Sequence, residues 1–449
     1  MAFSKDSASA AIPIEHVEAG TEIQDAKTRT WVESNGGAVE NSVHIIPDDD
    51  GSVKSILFIT GTEPTIWDFA ALPEKLPQGT YTLAKSFEPE QATLACLVWG
   101  LGGYVFDRYK ESKRKYPALV MPDCVDEQMI RRQVTGINLT RDLINTPAND
   151  MGPSHLADAA SDLAKQHKAK CKIITGESLE KEFPAIHAVG RAAADEPRLI
   201  DLKWGDTKHP KVTLVGKGVC FDTGGLDLKP SAFMLTMKKD MGGAANVLGL
   251  AHMIMDAKLP INLRVLIPAV ENSVAGNAYR PMDIIRSRKG LTIEIGNTDA
   301  EGRVVLADAL DLACEDNPDL IIDMATLTGA ARVALGTELP ALFSNNDEIA
   351  HEAIAFSHQE QDSMWHMPLW QPYRALINSP NADIKNNPST GMGGAISAAL
   401  FLESFLEKDI PWIHIDVMAW NTSSKPGRPE GGEAMGIRGL FRMLEKKYS

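Results

Sequence analysis

Two carboxylates separated by one residue lie in the segment Asn-Thr-Asp-Ala-Glu-Gly-Arg at 297–303. Asp299 and Glu301 are followed at once by Gly302 and Arg303, and residues 304–313 then have the apolar spacing of a helix. We therefore expect the carboxylates on a loop that enters a helix N-terminus, where free N–H groups and the helix dipole favour anions. Two carboxylates beside an arginine are unusual at such a place unless cations also bind there. The segment is thus the first indication of a metal site.

Two other glycine-rich segments carry an acidic residue close to a predicted change from strand to helix. The first, at 216–230, contains Asp222, and the second, at 237–244, contains Asp240. Glycines in such segments let the backbone approach a bound ion or substrate closely. These two residues extend the acidic set to four.

Four converging carboxylates would repel one another, and their pKa values would rise until some of them took up protons. Divalent cations remove this difficulty, and two cations about 3.5–4 Å apart need bridging carboxylates. Ligands that are mostly oxygen suit Mn, Mg or Zn. Lys217 and Lys229 lie in the first glycine-rich segment, and a neutral lysine amine can also bind a metal.

Simpler interpretations of the same residues stay open at this point. A single aspartate at a helix start often serves only as a cap, and one glycine-rich turn is weak evidence for a site. Other catalytic patterns are absent from the sequence. The dinucleotide fingerprint fails because Phe221 stands where its third glycine belongs, and the patterns GxxxxGK[ST], GxSxG and HExxH do not occur.

Strands and helices are predicted to alternate through the second part of the chain, which indicates a largely parallel central sheet with helices on both faces. Active sites in such sheets form at the carboxyl ends of the strands. Ser154 is expected to cap a helix that begins at 153–155, and His414 and Asp416 are expected to form a hydrogen-bonded pair on one strand. The predicted strands are 172–175, 211–216, 263–267, 319–325 and 412–417, and the predicted helices are 127–144, 244–256, 304–316 and 394–406.

The chain of 449 residues is longer than one hydrophobic core usually spans. A strand at 52–59 and a helix at 91–101 that ends at Gly102 predict an N-terminal α/β domain. We predict an N-terminal recognition or assembly domain at 1–125, a linker helix and connection at 126–150, and a catalytic domain at 151–449. The fold class is therefore α/β, with a larger C-terminal domain around a mostly parallel sheet.

Composition and charge limit the surroundings and the partners of this chain. Five scattered cysteines form no CxxC pair, and no apolar run has the ~20 residues of a membrane span. We expect a reducing, cytoplasmic compartment and no membrane partner. The net charge is −15, and residues 1–127 carry eleven basic and twenty acidic side chains. A nucleic-acid partner is not expected, despite the small basic run at 110–115.

Six motifs together resemble the leucyl (cytosol) aminopeptidases, a family of dinuclear-metal exopeptidases, from about residue 135 to the C-terminus. They are NTDAEGR at 297–303, GKGVCFDTGGLDLKP at 216–230, MKKDMGGAA at 237–245, NTPAND at 145–150, TLTGA at 326–330 and HIDVMAW at 414–420. NTDAEGR in company with the next two motifs is highly specific. The N-terminal third matches only loosely.

The resemblance implies a role for each matching residue. Two divalent metal ions per subunit, Mn or Zn, are implied: Asp222 and Glu301 bind both, Lys217 and Asp240 bind one, and Asp299 binds the other, assisted by its main-chain carbonyl. Lys229 corresponds to the lysine that holds the scissile carbonyl oxygen, and Arg303 to the arginine that holds a bicarbonate ion. The residues implied to contact substrate are Met237, Thr326, Leu327 and Gly329.

The resemblance further implies peptide substrates with a free N-terminus and a homohexameric assembly. The segment at 425–434 departs from the usual family pattern, so the preferred first residue of the substrate is not predicted. Two other functions are considered. One is a DNA-binding role, which the acidic N-terminal part disfavours, and the other is a non-catalytic assembly protein, which the intact set of site residues disfavours.

Overall fold

The chain folds into two compact units in a computed structural model that describes residues 2–4, 10–112 and 115–449. One unit comprises Met1–Asn138 with Ser423–Glu430, and the other comprises Leu139–Thr422 with Gly431–Ser449. Residues 113 and 114 of the small basic run lie outside the described residues. The domain boundaries at 125 and 150 stay a prediction.

The smaller unit is built on a five-stranded sheet with the order β2-β3-β1-β4-β5. Only β2 and β3 pair antiparallel, and the other neighbours are parallel. The strands are β1 Ile12–Glu18, β2 Ser42–Pro47, β3 Val53–Thr60, β4 Thr80–Leu83 and β5 Ala118–Val120. The helices are α1 Ala26–Ser34, α2 Ile66–Ala70, α3 Leu72–Lys75 and α4 Pro89–Gly102, followed by α5 Glu127–Asn145, within which the boundary of the two units falls.

The larger unit contains a nine-stranded mixed sheet and short accessory strands. Its strands are β6 Lys170–Ile174, β7 Arg198–Trp204, β8 Lys211–Gly216, β9 Gly218–Asp222, β10 Asn262–Asn272, β11 Ile284–Arg286, β12 Thr292–Glu294, β13 Leu320–Ala325, β14 Ala341–Ser344, β15 Trp365–His366, β16 Ile384–Lys385, β17 Trp412–Asp416, β18 Trp420–Asn421 and β19 Gly431–Gly432. Its helices are α6 Pro153–Gln166, α7 Gly176–Glu182, α8 Pro184–Gly190, α9 Ser231–Met234, α10 Gly242–Ala257, α11 Glu301–Cys314, α12 Gly329–Leu335, α13 Asp347–Gln359, α14 Gly394–Glu403 and α15 Ile437–Tyr448. Two 3₁₀ helices span Met237–Met241 and Gln371–Ile377.

The centre of this sheet is parallel. Strands β10, β8, β13 and β17 are parallel neighbours, and antiparallel β7 and β14 flank them. Helices cover both faces of β8. Consecutive residues of a strand point to opposite faces. Gly216 faces Ala244 of α10, and Val215 belongs to the core cluster that contains residues of α11. The predicted α/β fold with a mostly parallel central sheet is confirmed.

Two helix starts differ from the prediction. Helix α6 is capped by Gly152 and not by Ser154, because Pro153 has no N–H and fits the first helical position. Ser154 instead donates its backbone N–H and its hydroxyl to Asp195, both at 2.7 Å. Helix α11 already begins at Glu301, so only Asp299 lies on the preceding loop.

The predicted pairing of His414 with Asp416 is wrong. Alternate residues of a strand share a face, but each of these side chains reaches across to a neighbouring segment. His414 Nδ1 lies 2.6 Å from Asp323 Oδ1 on β13. Asp416 accepts hydrogen bonds from Leu327 and Thr328. Among the described residues, no helix has both the length and the apolar composition needed to cross a membrane.

Candidate active site

All eleven residues that the sequence singled out line one cavity of about 110 Å³ in the larger unit. The cavity lies where strands β9 and β13 end and helices α11 and α12 begin. This is the edge at which parallel sheets form their sites. The eleven are Lys217, Asp222, Lys229, Met237, Asp240, Asp299, Glu301, Arg303, Thr326, Leu327 and Gly329.

Three carboxylates form a compact group in this cavity. Oxygen atoms of Asp222, Asp299 and Glu301 lie within 4.8 Å of one another, close enough to share a metal ion. Asp222 is the last residue of β9, Asp299 lies on the loop before α11, and Glu301 is the first residue of that helix. The fourth carboxylate, Asp240, comes from the 3₁₀ helix at 237–241 and reaches the group through a lysine.

Lys217 joins two of the carboxylates. Its Nζ lies 2.7 Å from Asp240 Oδ2 and 2.9 Å from Glu301 Oε1, and it donates to the backbone carbonyl of Thr326 at 3.0 Å. The side chain is buried. Burial opposes its charge, but the carboxylates of Asp240 and Glu301 outweigh that cost and raise the pKa of Lys217. The ammonium therefore balances negative charge that burial would otherwise disfavour.

Lys229 has the same relation to the other two carboxylates. Its Nζ lies 2.8 Å from Asp222 Oδ2 and also contacts Asp299. Burial opposes the charge of Lys229, while Asp222 and Glu301 raise its pKa above the usual value. Each lysine thus bridges one pair of carboxylates at the centre of the cavity.

The acidic cluster is nevertheless under electrostatic strain. Burial, followed by the charge of Asp222, raises the pKa of Glu301 to about 7 and that of Asp299 to about 6. Burial also raises the pKa of Asp240, whereas Lys229 and Lys217 overcome burial at Asp222 and lower its pKa. This donor set of clustered oxygens with incompletely compensated charge suits divalent cations.

Gly302 is required by the close packing around Lys217. A Cβ atom at this position would lie 2.4 Å from Lys217 Cε and 2.6 Å from its Nζ. The lysine therefore crosses directly over the first turn of α11, beside Glu301. This close packing explains why a glycine lies between Glu301 and Arg303 in the sequence.

Arg303 lies in the first turn of α11 with its side chain buried. Among the described residues, its Nε and Nη1 atoms have no hydrogen-bond partner. Burial lowers the pKa of Arg303 to about 10, although Glu301 and Asp416 act in the opposite direction. A buried guanidinium with free donors at a helix N-terminus, on the wall of a cavity, is suited to hold an anion.

The remaining predicted residues lie on the strand-to-helix connection after β13. Thr326 donates its hydroxyl to Asp240 Oδ1 at 2.7 Å. Leu327 follows with its N–H directed at Asp416, and Gly329 begins α12. Met237 is buried at the start of the 3₁₀ helix that carries Asp240.

Sequence reasoning missed residues that support or line this cavity. Asn272, at the end of β10, donates to Asp222 Oδ1 at 2.8 Å and to the carbonyl of Thr298 at 3.1 Å. Asp416 holds the connection at 327–328, and buried Lys239 lines the cavity with its pKa lowered to about 8 by burial. A position at the carboxyl end of a central strand could have indicated Asn272 and Asp416.

Comparison with known proteins agrees with this architecture. Residues 138–441 match the catalytic domain of the cytosol aminopeptidase family, and residues 11–122 match the N-terminal domain of M17 aminopeptidases. A probable cytosol aminopeptidase from Roseiflexus castenholzii is 42% identical over 365 residues, which cover 77% of this chain and 74% of that protein.

Two solved structures extend the similarity to nearly the whole chain. The cytosol aminopeptidase from Coxiella burnetii is 50% identical, with a TM-score of 0.95 and 99% of both chains covered. The bottromycin maturation enzyme BotP in complex with Mn is 33% identical, with a TM-score of 0.88, covering 98% of this chain and 100% of that one.

The fold and these matches define a hydrolase of two α/β domains, the larger of which carries the catalytic machinery. The chain belongs to the cytosol aminopeptidase family. The family predicted from the sequence motifs is thereby confirmed.

Proposed function

We propose that this chain is a metal-dependent aminopeptidase that releases N-terminal amino acids from peptides. One observation carries the proposal: four carboxylates, two lysines and a buried arginine with free donors converge on one cavity. Family membership supports the aminopeptidase activity. The complete set of polar site residues argues against a non-catalytic protein built on the same fold.

Two divalent cations fit the donor set. Asp222 and Glu301 would contribute to both ions, with Lys217 and Asp240 completing one set and Asp299, through its side chain and its main-chain carbonyl, the other. Lys217 would bind as a neutral amine, since a neighbouring cation drives its proton off. Bound cations of this kind lower the pKa of a water and polarise a carbonyl. Mn or Zn is the expected metal, and the Mn complex of BotP supports the former.

Lys229 would hold the carbonyl oxygen of the scissile bond. Its side chain is 14% exposed, so it borders the cavity while its ammonium is fixed by Asp222 and Asp299. A fixed donor of this kind stabilises the negative charge that develops on the oxygen during attack. The lysine would thus act on the transition state more than on the bound substrate.

Arg303 would hold a bicarbonate ion that acts as general base. Its free Nε and Nη1 atoms offer two donors, and α11 presents its N-terminal N–H groups at the same end. A bicarbonate held there would supply the general base of the reaction. The side chain itself would keep the anion oriented and would not take part in the proton transfer.

The first side chain of the substrate would lie against Met237, Thr326 and Gly329, and the Leu327 carbonyl would accept a hydrogen bond from the peptide. These groups are uncharged, which favours an uncharged first residue. A free α-amine would be required because it would bind one of the two cations beside the carboxylate cluster.

Assembly as a homohexamer and a cytoplasmic location are also proposed. Large apolar side chains such as Leu235, Val333 and Met392 are 78–87% exposed in the single chain, which supports further burial on assembly. Light scattering coupled to size exclusion tests the hexamer, with a monomer as the contradictory result.

Matched peptide substrates test the activity. Leucyl-, methionyl- and alanyl-peptides with free N-termini are compared with their N-acetylated forms, using metal-loaded protein. We expect release of the first residue from the free peptides alone. Equal hydrolysis of the acetylated forms would contradict the exopeptidase assignment. Hydrolysis of neither form would contradict the proposed peptidase activity.

A further inference from the structure

A second cavity, of about 530 Å³, lies in the larger unit at the opposite end of the central sheet. Lys211, the first residue of β8, and Asn262, the first residue of β10, both line it. The candidate active site lies instead beyond the carboxyl end of β8, at Lys217. Lys217 lies six residue steps along the chain from Lys211, which corresponds to about 20 Å in a strand. A ligand in this second cavity therefore would not compete with a peptide.

The walls of this second cavity carry a row of cations across three neighbouring strands. Lys170 of β6 lies directly opposite Lys203 of β7, and Lys203 lies directly opposite Arg264 of β10. Like charges at directly opposite positions destabilise a sheet. Lys168 and Lys211 add two more basic side chains to the same lining.

Carboxylates compensate only part of this charge. Arg264 forms a two-point contact with Asp201 at 2.9 and 2.7 Å and a contact with Asp316 at 2.7 Å. The Nζ atom of Lys203 lies 3.5 Å from Oδ2 of the same Asp316. Across the described ranges, neither Lys168 nor Lys170 has a carboxylate within ion-pair distance.

Lys211 adds to the basic excess. Its ammonium donates to the backbone carbonyl of Asp316 at 2.6 Å, and no carboxylate of the described residues lies within ion-pair distance of it. The cavity is therefore strongly basic in a chain whose net charge is −15. A local field of this sign attracts an anion with more than one charge.

Trp204 adds an aromatic surface to the same cavity. It is the last residue of β7, next to Lys203, and its side chain is half-buried. Aromatic side chains provide stacking surfaces for nucleobases, and lysines provide compact charges for phosphates. The volume lies within the range of about 300–1,000 Å³ that is typical of small-molecule sites.

We propose that this second cavity binds a nucleoside polyphosphate, with its phosphates on Lys168, Lys170 and Lys203 and its base against Trp204. The lysines are exposed, so phosphates can reach them from solvent. Trp204 lines the same cavity and is half-buried. The proposal concerns residues outside the peptidase site and does not depend on the proposed peptidase function.

Isothermal titration calorimetry on the full metal-loaded chain tests this proposal. ATP, pyrophosphate and adenosine are titrated in excess magnesium, so that the nucleotide does not extract metal from the other site. We expect ATP to bind more tightly than pyrophosphate and adenosine to bind least. Absence of ATP binding would overturn the proposal, and equal affinity for pyrophosphate and ATP would overturn the assignment of a nucleoside.

Two double variants with the same change of net charge distinguish ATP binding at the lysine row from a general effect of protein charge. K170E/K203E should weaken ATP binding more than tenfold. K181E/K446E, which reverses two exposed lysines that do not line the cavity, should change it less than twofold. Equal effects of the two variants would overturn the site. W204A should weaken ATP binding but leave pyrophosphate binding unchanged, and the opposite pattern would exclude stacking.

The thermal midpoint shows whether K170E/K203E remains folded. The double reversal leaves like charges at the opposed positions 170 and 203 but places a carboxylate opposite Arg264, so the midpoint should stay close to that of the wild type. Lys170→Gln alone, which removes one charge without reversing it, provides a milder second variant with an expected loss of several-fold in ATP affinity. ATP affinity unchanged in both variants would overturn the proposal.

Discussion

The carboxylate of Asp416 accepts a hydrogen bond from the backbone N–H of Leu327 at 2.9 Å. The same carboxylate accepts from the N–H of Thr328 at 3.2 Å and from its hydroxyl at 2.6 Å. Asp416 ends β17 and Leu327 follows the parallel neighbour β13. One side chain at the end of a central strand therefore fixes the connection that borders the candidate substrate pocket.

Asp416→Asn is predicted to raise KM more than it lowers kcat. The amide keeps one acceptor but presents N–H donors to groups that are themselves donors. A hydrogen bond to a charged group contributes about 1.5–3 kcal/mol, so a loss of roughly tenfold to a hundredfold in kcat/KM is expected. Steady-state kinetics with a leucyl peptide measures the change. An unaltered KM together with a large fall in kcat would contradict a role in holding the substrate connection.

Lys229→Ala is predicted to lower kcat by about 10²–10³-fold, as expected when one donor to a developing oxyanion is removed. Metal content should stay at the wild-type level, because the carboxylates proposed as ligands remain. Kinetics and elemental analysis on the same sample measure both quantities. Lys181→Ala, at an exposed lysine, is the matched control. Near-wild-type turnover of Lys229→Ala would show that its assigned role is wrong.

Gly302→Ala is predicted to disrupt the cluster. The added Cβ would lie 2.4 Å from Lys217 Cε, so the lysine or the first turn of α11 must move. Overpacking of this kind costs about 1–3 kcal/mol, and displacement of Lys217 should also weaken metal binding. Thermal melting and metal titration measure the two effects. Gly276→Ala is the control, because a Cβ there meets no atom within 4 Å; equal behaviour of the two variants would contradict the packing argument.

Arg303→Ala is predicted to abolish the response of the enzyme to bicarbonate. Activity of the wild type should fall when bicarbonate is removed from the buffer and recover when it is restored, because the free donors of Arg303 hold the anion. The variant should have low activity at every bicarbonate concentration. A variant that is still activated by bicarbonate would place the anion elsewhere.

The regular elements around the cavity followed from sequence patterns. The predicted strand at 211–216 matches β8 residue for residue, and the helix at 127–144 differs from α5 by one residue. A parallel central strand is buried on both faces, so most of its residues are apolar, as Val212, Leu214 and Val215 are in β8. Element ends were less predictable. Glu301 was assigned to the loop although α11 begins there, because Ala300 carries no recognisable cap signal.

The hydrogen bonds that hold the site residues in place could not be predicted from local sequence patterns. Asn272 and Asp416 act on Asp222 and Leu327 across 50 and 89 positions of sequence. Their positions at the carboxyl ends of central strands could have indicated the two residues, but a single sequence does not show which groups they contact. The pairing of His414 with Asp323 was missed for the same reason, because strand register brings two distant segments together. The roles of the individual residues came from the family motifs, and those roles stay proposals.

Metal titration of the stripped protein tests the paired-cation site most directly. Protein freed of metal with a chelator is titrated with Mn²⁺ in a calorimeter, and peptidase activity is measured at each point. We predict two equivalents per chain in the wild type, with activity restored as the sites fill. Glu301→Gln, which alters a proposed shared ligand, should weaken both binding events. Full activity of the metal-free protein, or binding of no Mn²⁺ in the wild type, would contradict the proposed mechanism.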